Sequence, residues 1–252
     1  MALLVALAGC ASLSSAHTSR ADPSLQVHTL REGYANAHLI VQGQRSVLID
    51  SGLEENAQAL EARIREVGVD PATLDAIIIT HGHADHAGGA EHFQRLYGTT
   101  IIAGTGDHGM YATGQHRDEP MCPVGSVAEG RMEDDRHQTY TPVSIDIAVE
   151  DQPLDLHKIA GIQGQIVPLP GHTPGSLVVV FDRFAAVGDL LRGEILGSDA
   201  AIHFYMCDLE DNRRDIRALL DTLAPKADVF LAGHFGPLDR SDLEDLLADW
   251  SP

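Results

Sequence analysis

Apolar residues along the chain recur with two spacings, one typical of strands and one typical of helices. Short β-rich runs bounded by turn residues indicate strands at residues 25–30, 37–42, 46–49, 75–80, 100–103, 165–168, 177–181, 185–187 and 229–232. Helical spacing indicates helices at residues 54–67, 90–97, 212–223 and 241–250. Strands come first and then alternate with helices, and the order recurs in the second half. This pattern predicts a layered α/β architecture.

Residues 104–152 differ from the rest of the chain because they are polar, weakly periodic and rich in Gly, Pro, Asp and Arg. We predict long loops there with one short helix, and loops of such length in a compact domain are usually functional or disordered. We expect this stretch and residues 192–207 to line a pocket. For each single aromatic or histidine side chain in them, a surface or packing role is the default. These side chains are His108, Tyr111, His116, His137, Tyr140, His203, Phe204 and Tyr205.

The N-terminus has the pattern of an export signal. Residues 2–8 are apolar and lead into Leu7-Ala8-Gly9-Cys10, which resembles the bacterial lipobox, while residues 11–21 are small and polar like a tether. The interpretation is a leader and tether over residues 1–21, a single catalytic domain over 22–252, and membrane attachment through a lipidated Cys10 in the cell envelope or periplasm. No Lys or Arg precedes the apolar run. The alternative is an unstructured leader on a cytoplasmic protein.

Composition narrows the choice of partner and of chemistry. The net charge of −20 disfavours nucleic acid, whose phosphates an acidic surface repels, and we expect a small-molecule substrate instead. The chain has 14 histidines but only 3 cysteines, which excludes a disulfide-built scaffold and directs any metal chemistry to imidazole and carboxylate ligands. We expect Cys122 and Cys207 to be free thiols, although an oxidising compartment would permit a disulfide between them.

Four potential metal ligands lie within the segment His81-Gly82-His83-Ala84-Asp85-His86, directly after a buried apolar strand. Their spacing matches neither one face of a helix nor one face of a strand. We therefore predict a tight loop in which Gly82 and Gly88-Gly89 provide backbone freedom. In such a loop His81 and His83 would face one ion, and Asp85 and His86 another.

The segment Thr80-His81-Gly82-His83-Ala84-Asp85-His86-Ala87-Gly88-Gly89 resembles the signature of the metallo-β-lactamase fold hydrolases. The other motifs of that family are present in the right order from residue 48 to residue 234. They are Leu48-Ile49-Asp50-Ser51-Gly52, Pro170-Gly171-His172-Thr173-Pro174-Gly175-Ser176, Val187-Gly188-Asp189 and Ala232-Gly233-His234.

The resemblance implies a four-layer αββα sandwich of two mixed β-sheets flanked by helices, with two metal ions at one edge of the sheets. It assigns His81, His83 and His172 to the first ion. It assigns Asp85, His86 and His234 to the second. Asp189 would bridge the two ions, and Asp50 would orient ligands from behind.

This ligand set predicts a dinuclear hydrolase that attacks an ester, thioester, lactone or amide carbonyl with water activated between two divalent ions. Asp85, which can hold or relay the proton, and Asp50 are the candidate catalytic residues. Zinc is the default metal, and iron and manganese fit the same ligands.

Asp189 moves the interpretation away from the true β-lactamases, which resemble this chain in the first histidine cluster but lack a bridging Asp. The hydroxyacylglutathione hydrolases (glyoxalase II) share all seven ligands, but they carry a further helical domain for glutathione, which we do not expect in a chain ending at Pro252. Two alternatives stay open: a mononuclear iron oxidoreductase of persulfides and a β-lactamase-like amide hydrolase. A noncatalytic lipid-anchored binding module is disfavoured by the complete ligand set.

Overall fold

The computed structural model describes residues 15–116 and 120–250. The strands, in chain order, are β1 (Ser15–Thr18), β2 (Leu25–Glu32), β3 (Ala35–Gln42), β4 (Arg45–Ile49), β5 (Ala76–Ile79), β6 (Ile101–Gly104), β7 (Ile147–Val149), β8 (Leu154–Asp155), β9 (Gln165–Pro168), β10 (Leu177–Phe181), β11 (Phe184–Gly188), β12 (Arg192–Gly193), β13 (Ala200–Ala201), β14 (Val229–Ala232) and β15 (Leu238–Asp239). The helices are α1 (Ala57–Glu66), α2 (Ala84–Ala87), α3 (Ala90–Tyr97), α4 (His108–Thr113), α5 (Ser126–Arg136), α6 (Leu156–Ala160), α7 (Leu209–Ala218) and α8 (Arg240–Ala248).

Most strands belong to two large sheets. The first has the order β1-β2-β3-β4-β5-β6-β7, and the second has the order β15-β14-β11-β10-β9-β8. In the first sheet β1 to β4 pair antiparallel as a meander, whereas β4 to β7 pair parallel. In the second sheet β11 and β14 are parallel and the other neighbours are antiparallel. Both sheets are therefore mixed.

Apolar side chains form the layers that hold these sheets and helices together. Val27 and Ile78 of the first sheet pack against Val179 and Phe184 of the second, which forms the central core. A second cluster packs the outer face of the first sheet on helices, as with Leu60 of α1 and Phe93 of α3. A third packs the second sheet on α7 and α8. The αββα layering that the resemblance implied is confirmed, because each sheet buries one face on its partner and the other on helices.

The segment 104–152 contains more regular structure than we predicted, namely α4, α5 and β7 in addition to loops. Helix α5 escaped prediction because its sequence, SVAEGRMEDDR, buries only Ala128 and leaves most of its surface polar. A helix without an apolar stripe gives no periodic signal in the sequence. Its Arg131–Asp135 pair, one turn apart at 3.2 Å, adds only modest local support.

The stretch assigned to a tether also contributes to the first sheet. Ser15–Thr18 forms β1, which pairs antiparallel with β2 along its whole length. Its short polar sequence, Ser-Ala-His-Thr, has no apolar run, so the strand depends on the free edge that β2 offers. Residues 1–14, which include the predicted signal and Cys10, lie outside the described residues. Within the described chain, every helix is too short or too polar to cross a lipid bilayer.

Cys122 and Cys207 form a disulfide, so the expectation of free thiols was wrong. Their Cα atoms are 4.8 Å apart, within the normal range for a bridged pair. Backbone pairing brings them together: Val124 N–H donates to Phe204 O at 2.7 Å, and Met206 N–H donates to Cys122 O at 2.9 Å. This pairing joins segments separated by 85 residues, which local sequence patterns do not reveal.

Replacing both Cys122 and Cys207 by Ser should lower the free energy of unfolding by about 2–4 kcal/mol, because the crosslink restricts the unfolded chain. Urea unfolding of oxidised wild type and the double variant measures the difference. Wild type treated with a reductant should match the variant, and the reductant should leave the variant unchanged. Equal stability of the oxidised wild type and the variant would contradict the prediction.

Candidate metal centre

The carboxyl ends of five strands lie at one edge of the two sheets. β4 and β5 are parallel neighbours, as are β11 and β14, and β9 runs in the same direction as β11 because both are antiparallel to β10. A loop with at least one predicted site residue follows each of these strands, as is usual for sites in α/β sheets. The loops carry Asp50, the segment from His81 to His86, His172, Asp189 and His234.

Three imidazole nitrogens converge at the first predicted site. His81 Nε2 lies 3.1 Å from His83 Nδ1, and His172 Nε2 lies 3.2 Å from the same atom. The three side chains come from the loops after β5 and β9, so one loop from each sheet contributes. The structure therefore brings together the three residues that the sequence assigned to the first ion.

The second predicted site lies beside the first, and Asp189 lies between them. Asp85 Oδ2 is 3.3 Å from His234 Nε2 and 3.7 Å from His86 Nε2. Asp189 Oδ2 is 3.4 Å from His86 Nε2 and 3.2 Å from His234 Nε2. On the other side it is 3.7 Å from His81 Nε2 and 3.8 Å from His172 Nε2. One carboxylate oxygen thus reaches both groups of ligands, as a bridge would.

The donor set fits divalent metal ions. Atoms bound to one ion at about 2.0–2.2 Å lie roughly 3–4 Å from one another, which is the spacing seen here. His86 Nε2 and Asp189 Oδ1 are buried and have no hydrogen-bond partner among the described residues. Leaving such groups unsatisfied costs about 1–3 kcal/mol each, and a cation would satisfy them. Imidazole with carboxylate suits zinc, iron or manganese.

Asp50 lies behind His86 and does not line the cavity described below. Its Oδ1 accepts a hydrogen bond from Thr80 N–H at 2.7 Å, and its Oδ2 accepts one from Thr80 Oγ1 at 2.8 Å. His86 Nδ1 is 2.9 Å from Asp50 Oδ2, so it donates there and leaves Nε2 free to bind an ion. The backbone of Asp50 has φ +60°, an uncommon conformation for a residue other than glycine. The geometry suits a positioning residue.

The histidine segment contains one helical turn, α2, with His83 as its N-cap. This differs from the wholly irregular loop that we predicted. Gly88 and Gly89 were predicted to provide backbone freedom, but their φ values of −60° and −80° are open to any residue. Their lack of a side chain is what matters. A Cβ on Gly88 would lie 2.7 Å from Glu54 N, and one on Gly89 would lie 2.3 Å from Ser51 O. These glycines allow α2 to pack closely on the loop that carries Asp50.

Asp107, which the sequence analysis did not single out, ties the two halves of the first site together. Its Oδ2 accepts hydrogen bonds from Gly82 N–H at 2.8 Å and Thr173 Oγ1 at 2.7 Å, and its Oδ1 accepts one from Gly175 N–H at 2.8 Å. Burial raises the pKa of Asp107, and the three hydrogen bonds oppose that rise. Its position just after β6, at the same edge as the other strand-end residues, was the available signal.

Backbone carbonyls orient the two histidines of the C-terminal half. His172 Nδ1 donates to Tyr205 O at 3.0 Å, and His234 Nδ1 donates to Tyr34 O at 3.0 Å. Asn36, another residue that the sequence analysis missed, donates from Nδ2 to Ala232 O at 2.9 Å and to Phe235 O at 2.6 Å. The two carbonyl contacts hold the rings of His172 and His234 with Nε2 directed into the cluster, and Asn36 holds the backbone on both sides of His234.

Charge within the cluster shifts the pKa values of its members strongly. Burial alone lowers the pKa of His234, but Asp189 and Asp85 together raise it to about 10. Burial also opposes protonation of His86, yet Asp189, Asp85 and Asp50 raise the pKa of His86 well above its usual value. Burial lowers the pKa of His172 to about 3. The carboxylates therefore hold protons on the second-site histidines, where a metal ion would replace them.

A cavity of about 230 Å³ opens onto the ligand cluster. The base of the cavity is formed by His203 and four predicted ligands, namely His83, Asp85, Asp189 and His234. The walls are mostly apolar or aromatic and come from α5 and from several loops. The wall residues are Tyr34, His116, Val127, Ala128, Arg131, Asp135, Gln138, Ile195, Phe204, Tyr205 and Phe235.

We expected residues 104–152 and 192–207 to line a pocket, and some of their aromatic and histidine side chains do so while others do not. His116, His203, Phe204 and Tyr205 line the cavity. Tyr111 and Tyr140 are buried in the cluster between the first sheet and its helices, where Tyr140 Oη donates to Gly82 O at 2.9 Å. His108 and His137 are exposed and lie outside the cavity.

Comparison with protein families gives one match over most of the chain. A model described as the metallo-beta-lactamase superfamily matches residues 30–234. A relative named probable metallo-hydrolase YflN, from Bacillus subtilis, is 28% identical over 245 residues and covers 87% of this chain and 89% of its own length. A hydroxyacylglutathione hydrolase from Anaeromyxobacter dehalogenans is 30% identical over 154 residues, which is 61% of this chain and 45% of the relative.

Solved structures share the fold. A metallo-β-lactamase from Cronobacter sakazakii with a HARLDQ motif has a TM-score of 0.65 at 20% identity, covering 92% of this chain and 90% of its own. A metallo-beta-lactamase family protein from Thermus thermophilus has a TM-score of 0.62 at 24% identity, covering 90% and 79% respectively. At these identities the likeness concerns the fold alone.

Binding of zinc to the metal-free protein should release protons, because the raised pKa values of His86 and His234 keep both rings protonated near neutral pH. Only an unprotonated Nε2 can bind an ion, so affinity should weaken by about tenfold per pH unit, for each displaced proton, as the pH falls. Calorimetric titrations in two buffers of different ionisation enthalpy count the protons. His234→Ala should release fewer, and binding without proton release would refute the prediction.

Proposed function

We propose that this chain, which belongs to the metallo-beta-lactamase superfamily of metallohydrolases, is a dinuclear hydrolase of esters or thioesters. The observation that carries the proposal is the position of Asp189. Its Oδ2 lies within 3.8 Å of ligand nitrogens from both predicted sites. A complete second group of donors, Asp85, His86 and His234, favours two ions over the single ion of a mononuclear oxidoreductase.

The seven predicted ligands would hold two metal ions at the base of the cavity. His81, His83 and His172 would hold the first ion, Asp85, His86 and His234 the second, and Asp189 both. Two divalent ions so placed, with zinc as the default, lower the pKa of water toward neutrality and polarise a substrate carbonyl.

Asp85 is the predicted ligand that also offers a route for the proton. It lines the cavity, and its side chain is 13% exposed, whereas that of Asp189 is 2% exposed. Its carboxylate can accept the proton that the attacking water loses and pass it to the leaving group. Asp50 acts through His86 and has no access to substrate.

The walls of the cavity favour an acyl substrate with an apolar portion. Val127, Ile195, Phe204 and Phe235 surround the space above the ligands. Apolar contact supplies binding energy at a distance from the reacting carbonyl. A thioester or ester is consistent with relatives named hydroxyacylglutathione hydrolases, although the match covers only part of their length.

We further propose that the protein works in the cell envelope or periplasm and acts on a small molecule rather than nucleic acid. The disulfide between Cys122 and Cys207 supports an oxidising compartment, where such bonds persist. The net charge of −20 supports a partner other than nucleic acid. Attachment through a lipidated Cys10 remains a prediction on residues outside the described chain.

Asp189→Asn should lower kcat/KM by about 10²–10³-fold or more, because an amide cannot neutralise two ions as a carboxylate does. The measurement is a hydrolysis screen of the zinc-loaded protein over thioesters, esters, lactones, phosphoesters and a chromogenic cephalosporin. Asp182→Asn is the matched control, since Asp182 is an exposed carboxylate in the turn between β10 and β11.

Two outcomes would overturn the proposal, one from that screen and one from metal analysis with an oxygen-uptake assay. One is a metal-loaded wild type that turns over none of the panel and behaves like Asp189→Asn. The other is a protein that binds one iron and takes up oxygen with a persulfide, which would indicate an oxidoreductase.

Val127→Asp should raise KM about tenfold for a medium-chain acyl thioester with little change in kcat, because it removes apolar contact far from the reacting atoms. An acetyl thioester should be little affected. Glu133→Gln, at an exposed position of the same helix α5, is the control. A similar change in KM for both substrates would contradict the assignment of this wall to the acyl chain.

A further inference from the structure

His203 lies inside the ligand cluster, although the family motifs do not include it. It precedes α7 in the loop after β13, and the residue is only 3% exposed. Its Nε2 is 3.0 Å from Asp189 Oδ2, the same oxygen that four predicted ligand histidines approach. The side chain therefore faces the bridging carboxylate from the cavity side.

The contact between His203 and Asp189 does not have the geometry of a hydrogen bond. His203 Nε2 is buried and has no hydrogen-bond partner among the described residues, despite its short distance from the carboxylate. His86 Nε2, a predicted ligand atom, is also without a partner and lies 3.4 Å from the same oxygen. Two atoms that are close together without a hydrogen bond are arranged like ligands of one ion.

The other ring nitrogen of His203 faces the backbone of Tyr205. His203 Nδ1 lies 3.3 Å from Tyr205 N, whose N–H donates to it in one tautomer, and 3.4 Å from Tyr205 O, the carbonyl that also accepts the Nδ1–H of His172 at 3.0 Å. In the tautomer in which Nδ1 donates to that carbonyl, Nε2 carries the free lone pair that an ion would bind. The backbone of Tyr205 thus contacts both imidazoles, and either tautomer of His203 keeps its Nε2 directed toward Asp189.

His203 belongs with the first of the two sites. Its ring centroid is 4.8 Å from that of His172, and the ligand atoms of His172, Asp189 and His203 all lie within 4.8 Å of one another. We propose that His203 is an eighth ligand residue of the metal centre, binding an ion together with His172 and Asp189. This inference rests on the proposed metal centre, but it is separately testable.

Proton NMR of the cobalt(II)-substituted protein tests the proposal without reference to activity. Each imidazole bound to the paramagnetic ion gives a strongly shifted, exchangeable N–H signal. Wild type should show six such signals, from His203 and the other five histidines of the cluster, and His203→Ala should show five. Five signals in wild type with an unchanged spectrum in the variant would overturn the proposal.

Competition with a chromophoric chelator gives a second readout. His203→Ala should weaken the binding of one of the two zinc ions by about 100-fold and leave the other nearly unchanged. Tyr205→Phe is the matched control, because it removes the contacts of Tyr205 Oη with Asp135 and Ala128 but keeps the backbone carbonyl. It should bind zinc like wild type.

His203→Gln separates ligation from hydrogen bonding. A glutamine amide can still donate a hydrogen bond to Asp189 but is a poor metal ligand, so ligation predicts that this variant binds zinc as weakly as His203→Ala. Recovery of wild-type affinity in His203→Gln would overturn the proposal. Wild type that binds no zinc at all would instead refute the metal centre itself.

Discussion

The carboxylate of Asp189 is buried where the edges of the two sheets meet, and imidazole nitrogens surround its Oδ2. Burying an ionised carboxylate costs several kcal/mol unless positive charge compensates it. Asp85 adds a second, mostly buried carboxylate, and Asp50 a third, all within one cluster. Protonated histidines supply the compensation in the metal-free protein, and divalent ions would supply more. The arrangement of strands, loops and histidines at this edge serves that electrostatic requirement.

Three of the ligand imidazoles are held in place through their second ring nitrogen. Asp50 fixes His86, the Tyr205 carbonyl fixes His172, and the Tyr34 carbonyl fixes His234. These partners come from different parts of the chain, so the site forms only when both sheets are assembled. Asp107 and Asn36 add hydrogen bonds between the ligand loops. The metal centre therefore depends on the assembled fold.

The substrate side of the centre has a different origin from the ligand side. Ligands follow buried strands of regular sequence, whereas the cavity walls come from α5 and from several loops, including the one that ends at Cys207. The disulfide and the backbone pairing around it hold the loop that carries Tyr205, and through it the orientation of His172. Segments whose sequences show little apolar periodicity thus shape the cavity through which a substrate would reach the metal ligands.

The sequence alone determined much of the fold and of the metal centre. Most strand and helix positions followed from apolar periodicity, because burial of a face imposes a repeat of two or 3.6 residues. The seven ligands were assigned because the motifs that carry them resemble those of the metallo-β-lactamase fold hydrolases, and the structure brings all seven into one cluster.

Tertiary structure decided what has no local signature. Helix α5 lacks an apolar stripe, and β1 forms by pairing with the edge of β2. The disulfide joins segments that only the folded chain brings together. The positions of Asp107, Asn36 and His203 around the ligands were likewise decided by contacts between distant loops. Such contacts depend on how the two sheets pack, and packing is a property of the whole chain rather than of any one segment.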